Sequence, residues 1–123
     1  MAHITDAEWV FLDLLWSQGE LTITQMEKML KDEKGWSKHA IISFLKKMES
    51  KELVQYRTEG KAKVYYTTLE KDEVKRRESV SFLDKVFHGK MGLMVSSLVE
   101  EDCLDDDEID ELMKILEQKR KDK

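Results

Sequence analysis

Between residues 5 and 16 apolar side chains recur at helical spacing: Trp9, Leu12 and Trp16, with Val10, Phe11, Leu14 and Leu15 among them. The pattern predicts a largely buried first helix. Thr5-Asp6-Ala7-Glu8 fits a capping box that opens it, and Ser17-Gln18-Gly19 closes it. A second helix starts at Thr22 or Thr24 and turns Met26, Met29 and Leu30 inward. Gly35 breaks the chain, and Ser37 is a suitable N-cap for a third helix. Laid out at about 100° per residue, the third helix gathers Ile41, Phe44, Leu45 and Met48 into an apolar stripe flanked by Ala40. His39, Ser43, Lys46 and Ser50 fall opposite, with Ile42 and Lys47 at the margins.

The pattern then changes. Residues 53–58 and 63–68 are rich in β-branched and aromatic side chains, and Glu59-Gly60-Lys61-Ala62 between them makes a short connection typical of a hairpin. Three helices followed by two strands is the order of a winged helix-turn-helix. Residues 1–70 are thus expected to form that domain, in a chain that is mainly α. From residue 71 the helical period returns. Val80, Leu83, Val86 and Phe87 line one segment, and Met91, Met94, Val95, Leu98 and Val99 a second. Ile109, Leu112, Met113, Ile115 and Leu116 line a third, opened by an Asp105-to-Glu108 capping box. Three short helices in about fifty residues struggle to build a core of their own. Residues 71–123 are therefore expected to dimerise, through Leu83, Val86, Phe87, Met91, Met94, Val95, Leu98, Ile109, Leu112, Met113 and Leu116, giving a homodimer.

Charge sharpens the picture. The 123 residues carry a formal net charge of −5, but residues 34–69 hold eight Lys/Arg against three acids, between two acidic flanks. A basic segment of this kind makes a local field that the total conceals. The polar face of the third helix fits the DNA major groove, whose width admits an α-helix. His39, Ser43 and Ile42 are expected at base edges, Ile42 through a thymine methyl. Lys38, Lys46 and Lys47 belong mostly with the phosphates, and Ser37 at the helix start is expected among the DNA-binding residues. Arg57, Lys61 and Lys63 on the wing add backbone or minor-groove contacts. A solvated lysine-bearing face is the plain alternative for an isolated helix, and the neighbouring basic hairpin turns the balance toward double-stranded DNA.

Other chemistry finds little support. There is no nucleophile elbow, phosphate loop or zinc-protease motif, so no catalytic residue and no enzyme is expected. The three histidines are scattered and Cys103 is the only cysteine, so no metal site or cofactor is expected; Cys103 reads as a small packing residue. The acidic run of residues 100–108 lacks the glycine and ligand spacing of a calcium loop. No apolar run approaches a membrane span of about 20 residues, and Asp6, Glu8 and Asp13 interrupt anything resembling a signal peptide. The expected location is cytoplasmic, with no membrane partner.

Ile4-Thr5-Asp6-Ala7-Glu8-Trp9, with Leu15-Trp16 after it, resembles the opening I-[ST]-x-A-E-W…W of the penicillinase-repressor family, which includes BlaI, MecI and the copper-responsive CopY. Trp36-Ser37, Leu45, Lys51 and Glu59-Gly60-Lys61…Tyr65-Tyr66 resemble its later landmarks. The resemblance implies a dimeric bacterial repressor with N-terminal winged helices on a dyad-symmetric operator and C-terminal helices holding the dimer. Departures matter too. Ala40-Ile41-Ile42-Ser43 lacks the family's first recognition-helix threonine, so the operator sequence does not transfer. Lys51-Glu52 stands where the family favours Lys-Gly, and the C-terminus has no CxC pair for copper. In the β-lactam branch induction cleaves an Asn-Phe bond; the matching position reads Ser97-Leu98, leaving a protease or sensor partner open.

The expectation is a homodimeric repressor that occupies a promoter palindrome. The rival is a winged-helix adaptor whose basic face docks an acidic protein.

Overall fold

A computed structural model describes residues 3–122; residues 1, 2 and 123, at the ends of the two expected regions, lie outside it. The chain forms two compact units that divide between Val74 and Lys75.

In the first unit, α1 (Asp6–Gln18) is followed by β1 (Leu21–Thr22), α2 (Ile23–Leu30), α3 (Lys38–Ser50), β2 (Gln55–Glu59) and β3 (Ala62–Tyr66). The start of α4 (Lys71–Phe87) completes it, with Val74 buried. Each helix begins as its sequence dictates. Thr5 and Glu8 form a reciprocal capping box, Thr22 and Gln25 a second, and the Ser37 hydroxyl accepts from the Ala40 amide at 3.2 Å. Phe11, Leu12 and Leu15 of α1, Met26 and Leu30 of α2, and Ile41, Leu45 and Met48 of α3 make the core, with Leu53, Val54 and Tyr65 from the wing side. Trp36 seals one end, its ring 5.4 Å from Phe11 and 4.9 Å from Phe44. At the other end the Trp16 indole donates to the Leu69 carbonyl at 2.9 Å, tying α1 to the chain leaving the wing.

Met29 departs from expectation, being 46% exposed. The inner stripe of α2 is centred on Met26 and Leu30 with half-buried Ile23, and Met29 lies one step, about 100°, off Leu30. The hairpin is also tighter and shifted relative to the sequence reading: Glu59 pairs with Ala62, leaving Gly60-Lys61 as a two-residue connection. Gly60 at φ +62° supplies the left-handed step such a turn requires. The sheet has a third strand that periodicity does not show, because β1 is two residues long; the order is β1-β3-β2, antiparallel.

The turn from α3 into β2 is a Schellman closure. The Leu53 amide donates to the Met48 carbonyl at 2.9 Å and the Glu52 amide to Glu49 at 3.0 Å. Glu52 sits at φ +62°, the left-handed region a glycine fills without cost.

The second unit contains the rest of α4, α5 (Met91–Glu100) and α6 (Asp106–Lys121), the last opened by the Asp105–Glu108 capping box. Neither α5 nor α6 has a buried residue among those described. Met91, Met94, Val95 and Leu98 repeat at i, i+3, i+4, i+7 along α5, and Ile109, Leu112, Met113 and Leu116 do the same along α6. Cys103 is exposed between these helices, not packed as expected.

Candidate nucleic-acid interface

The core stripe fixes how α3 is rolled, and the roll sorts the polar residues of the helix. With Ile41, Leu45 and Met48 turned inward, His39 and Ser43 are exposed on the outer face. Lys38, Ile42 and Lys46 lie to one side, where they line a cleft of about 410 Å³ with Lys61, Lys63 and Tyr65 of the wing and Thr22, Ile23 and Thr24 of the second helix start. Lys47 lies to the other side, lining a groove with Thr5, Asp6, Glu8 and Lys51. Ser37 borders a third hollow beside Thr24, Lys28 and Lys31. The helix thus shows a narrow polar ridge with a lysine on each flank.

Four of the expected basic residues, Lys38, Lys46, Lys61 and Lys63, come together in the wing cleft. Ile42 is half-buried there, not outward. Lys63 is set by its neighbour, its ammonium 4.4 Å from the centre of the Tyr56 ring. Glu49 is the one carboxylate on the cleft wall. Burial, then the Glu49 carboxylate and the neighbouring Tyr56, push the Tyr65 phenol upward.

Arg57 does not join them. Its guanidinium donates to Glu20 Oε2 at 2.6 Å and lies 3.3 Å from Glu59 Oε2. Cross-strand partners share a face of a sheet and successive residues alternate. Arg57 is paired with Val64, whereas Lys63 and Tyr65 are the residues on either side of Val64. Arg57 therefore points to the face away from the cleft.

Lys51 stands apart from the basic face. Its ammonium donates to Glu8 Oε1 at 2.8 Å, Glu8 Oε2 at 3.0 Å and the His3 carbonyl at 3.0 Å. Glu8 is 2% exposed and also accepts from the Thr5 amide at 2.9 Å. Burial alone raises the Glu8 carboxyl; the Lys51 and Thr5 hydrogen bonds and the Lys51 charge outweigh it, so its pKa lies below the ordinary value. One lysine of the third-helix region is thus structural. The capping-box motif gave Glu8 a local role, but nothing local signalled its pairing across 43 residues.

In the second unit, Leu83, Phe87, Met94 and Val95 are half-buried, and Val86, Met91, Leu98, Ile109, Leu112, Met113 and Leu116 are exposed. Among the described residues no cluster of His, Cys, Asp and Glu could hold a metal ion, and no helix is long and apolar enough to cross a membrane.

Comparison with known proteins decides the family. The penicillinase repressor model matches residues 4–118. The chain belongs to the penicillinase repressor family. Membership makes it a transcriptional repressor and not an enzyme. Among its relatives, the methicillin resistance regulatory protein MecI of Staphylococcus aureus (strain Mu50 / ATCC 700699) is 28% identical over 117 residues, covering 95% of both chains. The penicillinase repressor of Bacillus licheniformis is 28% identical over 116 residues, covering 94% of this chain and 91% of its own. The solution structure of the DNA binding domain of the repressor BlaI is similar in fold, with a TM-score of 0.52 and 22% identity over 59% of this chain and 93% of that domain. The family's winged-helix architecture with a helical C-terminal region is the one seen here.

Proposed function

We propose that two copies of this repressor bind a dyad-symmetric promoter operator in the cytoplasm and exclude RNA polymerase from it. The observation that carries the reading is the wing cleft, where Lys38, Lys46, Lys61 and Lys63 converge beside the exposed His39 and Ser43. Lysines on the flank of a helix neutralise phosphates and set its register, while short polar side chains on the ridge meet base edges. The DNA-binding domain of the BlaI repressor lends support by its fold. Residues 1–70 serve as the DNA-binding domain and residues 71–123 as the dimeriser.

The second unit supports dimerisation, because the apolar stripes on α5 and α6 have no buried residue among those described. A second copy offers the same stripes in return, the self-complementary contact that a two-fold interface needs. Joining two weakly binding modules raises affinity through effective concentration and matches two half-sites on DNA. A protein partner, a protease or sensor, is the proposed agent of release.

Sedimentation of the full chain alone and with a promoter duplex tests this reading. Two chains free and two per duplex are expected. A monomer that binds an acidic protein but no duplex supports the adaptor instead.

A further inference from the structure

We infer that Arg57 serves DNA binding as a positioning residue, clamping the wing through Glu20 without touching phosphate itself. The inference rests on the DNA-binding reading above and reassigns one residue within it.

The hairpin is anchored only at its base, where Val64 and Tyr65 are buried and pair with β1 through Thr22 and Leu21. β2 is an edge strand bonded only to β3, and residues 57–63 toward the tip are exposed. Beyond Val64 the hairpin tip carries Lys63 and Lys61, two of the four lysines of the cleft. Their distance from Lys38 and Lys46 on α3 therefore depends on how far the hairpin twists about that short pairing. Arg57 spans the sheet at this point. From β2, opposite Val64, it reaches past β3 to Glu20 in the approach to β1, at 2.6 Å. The contact joins residues 37 apart in sequence, whereas the pair with Glu59 lies within one strand.

The same geometry argues against a phosphate contact. One guanidinium between two carboxylates leaves a net negative cluster, and alternation along β2 turns it away from the cleft. A DNA backbone approaching Arg57 meets Glu20 and Glu59 as well.

The test measures affinity for a duplex selected by the wild-type protein, across a range of salt. Arg57→Gln and Glu20→Gln are each expected to weaken binding by about two- to five-fold, the range of an exposed ion pair. The slope of log affinity against log salt stays that of wild type. The charge swap Glu20→Arg with Arg57→Glu restores binding, because it rebuilds the clamp. Lys61→Ala serves as comparator and lowers the slope by about 0.9. A lowered slope for Arg57→Gln, tighter binding by Glu20→Gln, or a swap that stays weak overturns the inference while leaving the DNA-binding reading intact. Failure of the wild-type protein to select any duplex overturns that reading, and the clamp's role with it.

Discussion

The Lys51 ammonium lies 2.8 Å from Glu8 Oε1, closing the end of α3 against the start of α1. Glu8 is buried and Lys51 about a quarter exposed, so the pair is only partly screened. Removing the lysine strands a carboxylate in the core. Lys51→Met is expected to cost about 2–3 kcal/mol, below the full penalty of a wholly buried pair because water reaches the site. Urea unfolding measures it, and Lys46→Met, at an exposed position, should leave stability nearly unchanged.

The same pair sets an acid limit. The Glu8 pKa is lowered on folding, so its contribution is complete above the unfolded value, about 4.3, and is lost as pH falls through the folded one. In Lys51→Met burial is opposed only by the Thr5 hydrogen bonds, so the Glu8 pKa rises relative to wild type. That variant should lose less stability than wild type as pH falls from about 7 to about 4. Unfolding curves at several pH values, with Glu8→Gln as reference, read both slopes.

Glu52 occupies a left-handed position at the C-terminus of α3. A side chain there costs about 1–2 kcal/mol relative to an unstrained residue, and glycine escapes this at the price of a more flexible unfolded chain. Glu52→Gly should therefore stabilise the first unit by about 1 kcal/mol. Thermal unfolding checks it; a destabilised variant contradicts the assignment.

On α3 the two flanks and the ridge predict different phenotypes. Lys46→Ala and Lys47→Ala should each weaken binding to every duplex and lower the salt slope by about 0.9. His39→Ala and Ser43→Ala should instead change which duplexes are preferred, by about 1–3 kcal/mol at the affected base pair. Equal losses on selected and random duplexes remove their readout role.

In the second unit, Leu112→Asp places a charge in the middle of the α6 stripe. Sedimentation should show monomers at concentrations where wild type is dimeric, with operator affinity falling as the linked half-sites are separated. A dimer of undiminished strength places the interface elsewhere.

Much of this was legible because it is local. The helices announced themselves through capping boxes at Thr5 and Asp105 and through the stripe Ile41, Leu45, Met48, and the family through its opening and wing motifs. What escaped depends on contacts between distant segments. β1 is too short to show a period, and it exists because Leu21 and Thr22 find Tyr65 and Val64. Arg57 has the composition of a DNA contact, and only strand register reveals that it faces Glu20. Met29 matched a helical period, but the packing of α2 centres its buried stripe on Met26 and Leu30 and leaves Met29 beyond the edge.

The central claim is that two winged helices read a symmetric site. Selection from a random duplex library by the purified full chain, followed by sequencing, tests it most directly. The account predicts a palindromic consensus whose half-sites lie one helical turn or a small multiple apart, about 10 base pairs each. No enrichment at low salt, or an asymmetric single half-site, contradicts it.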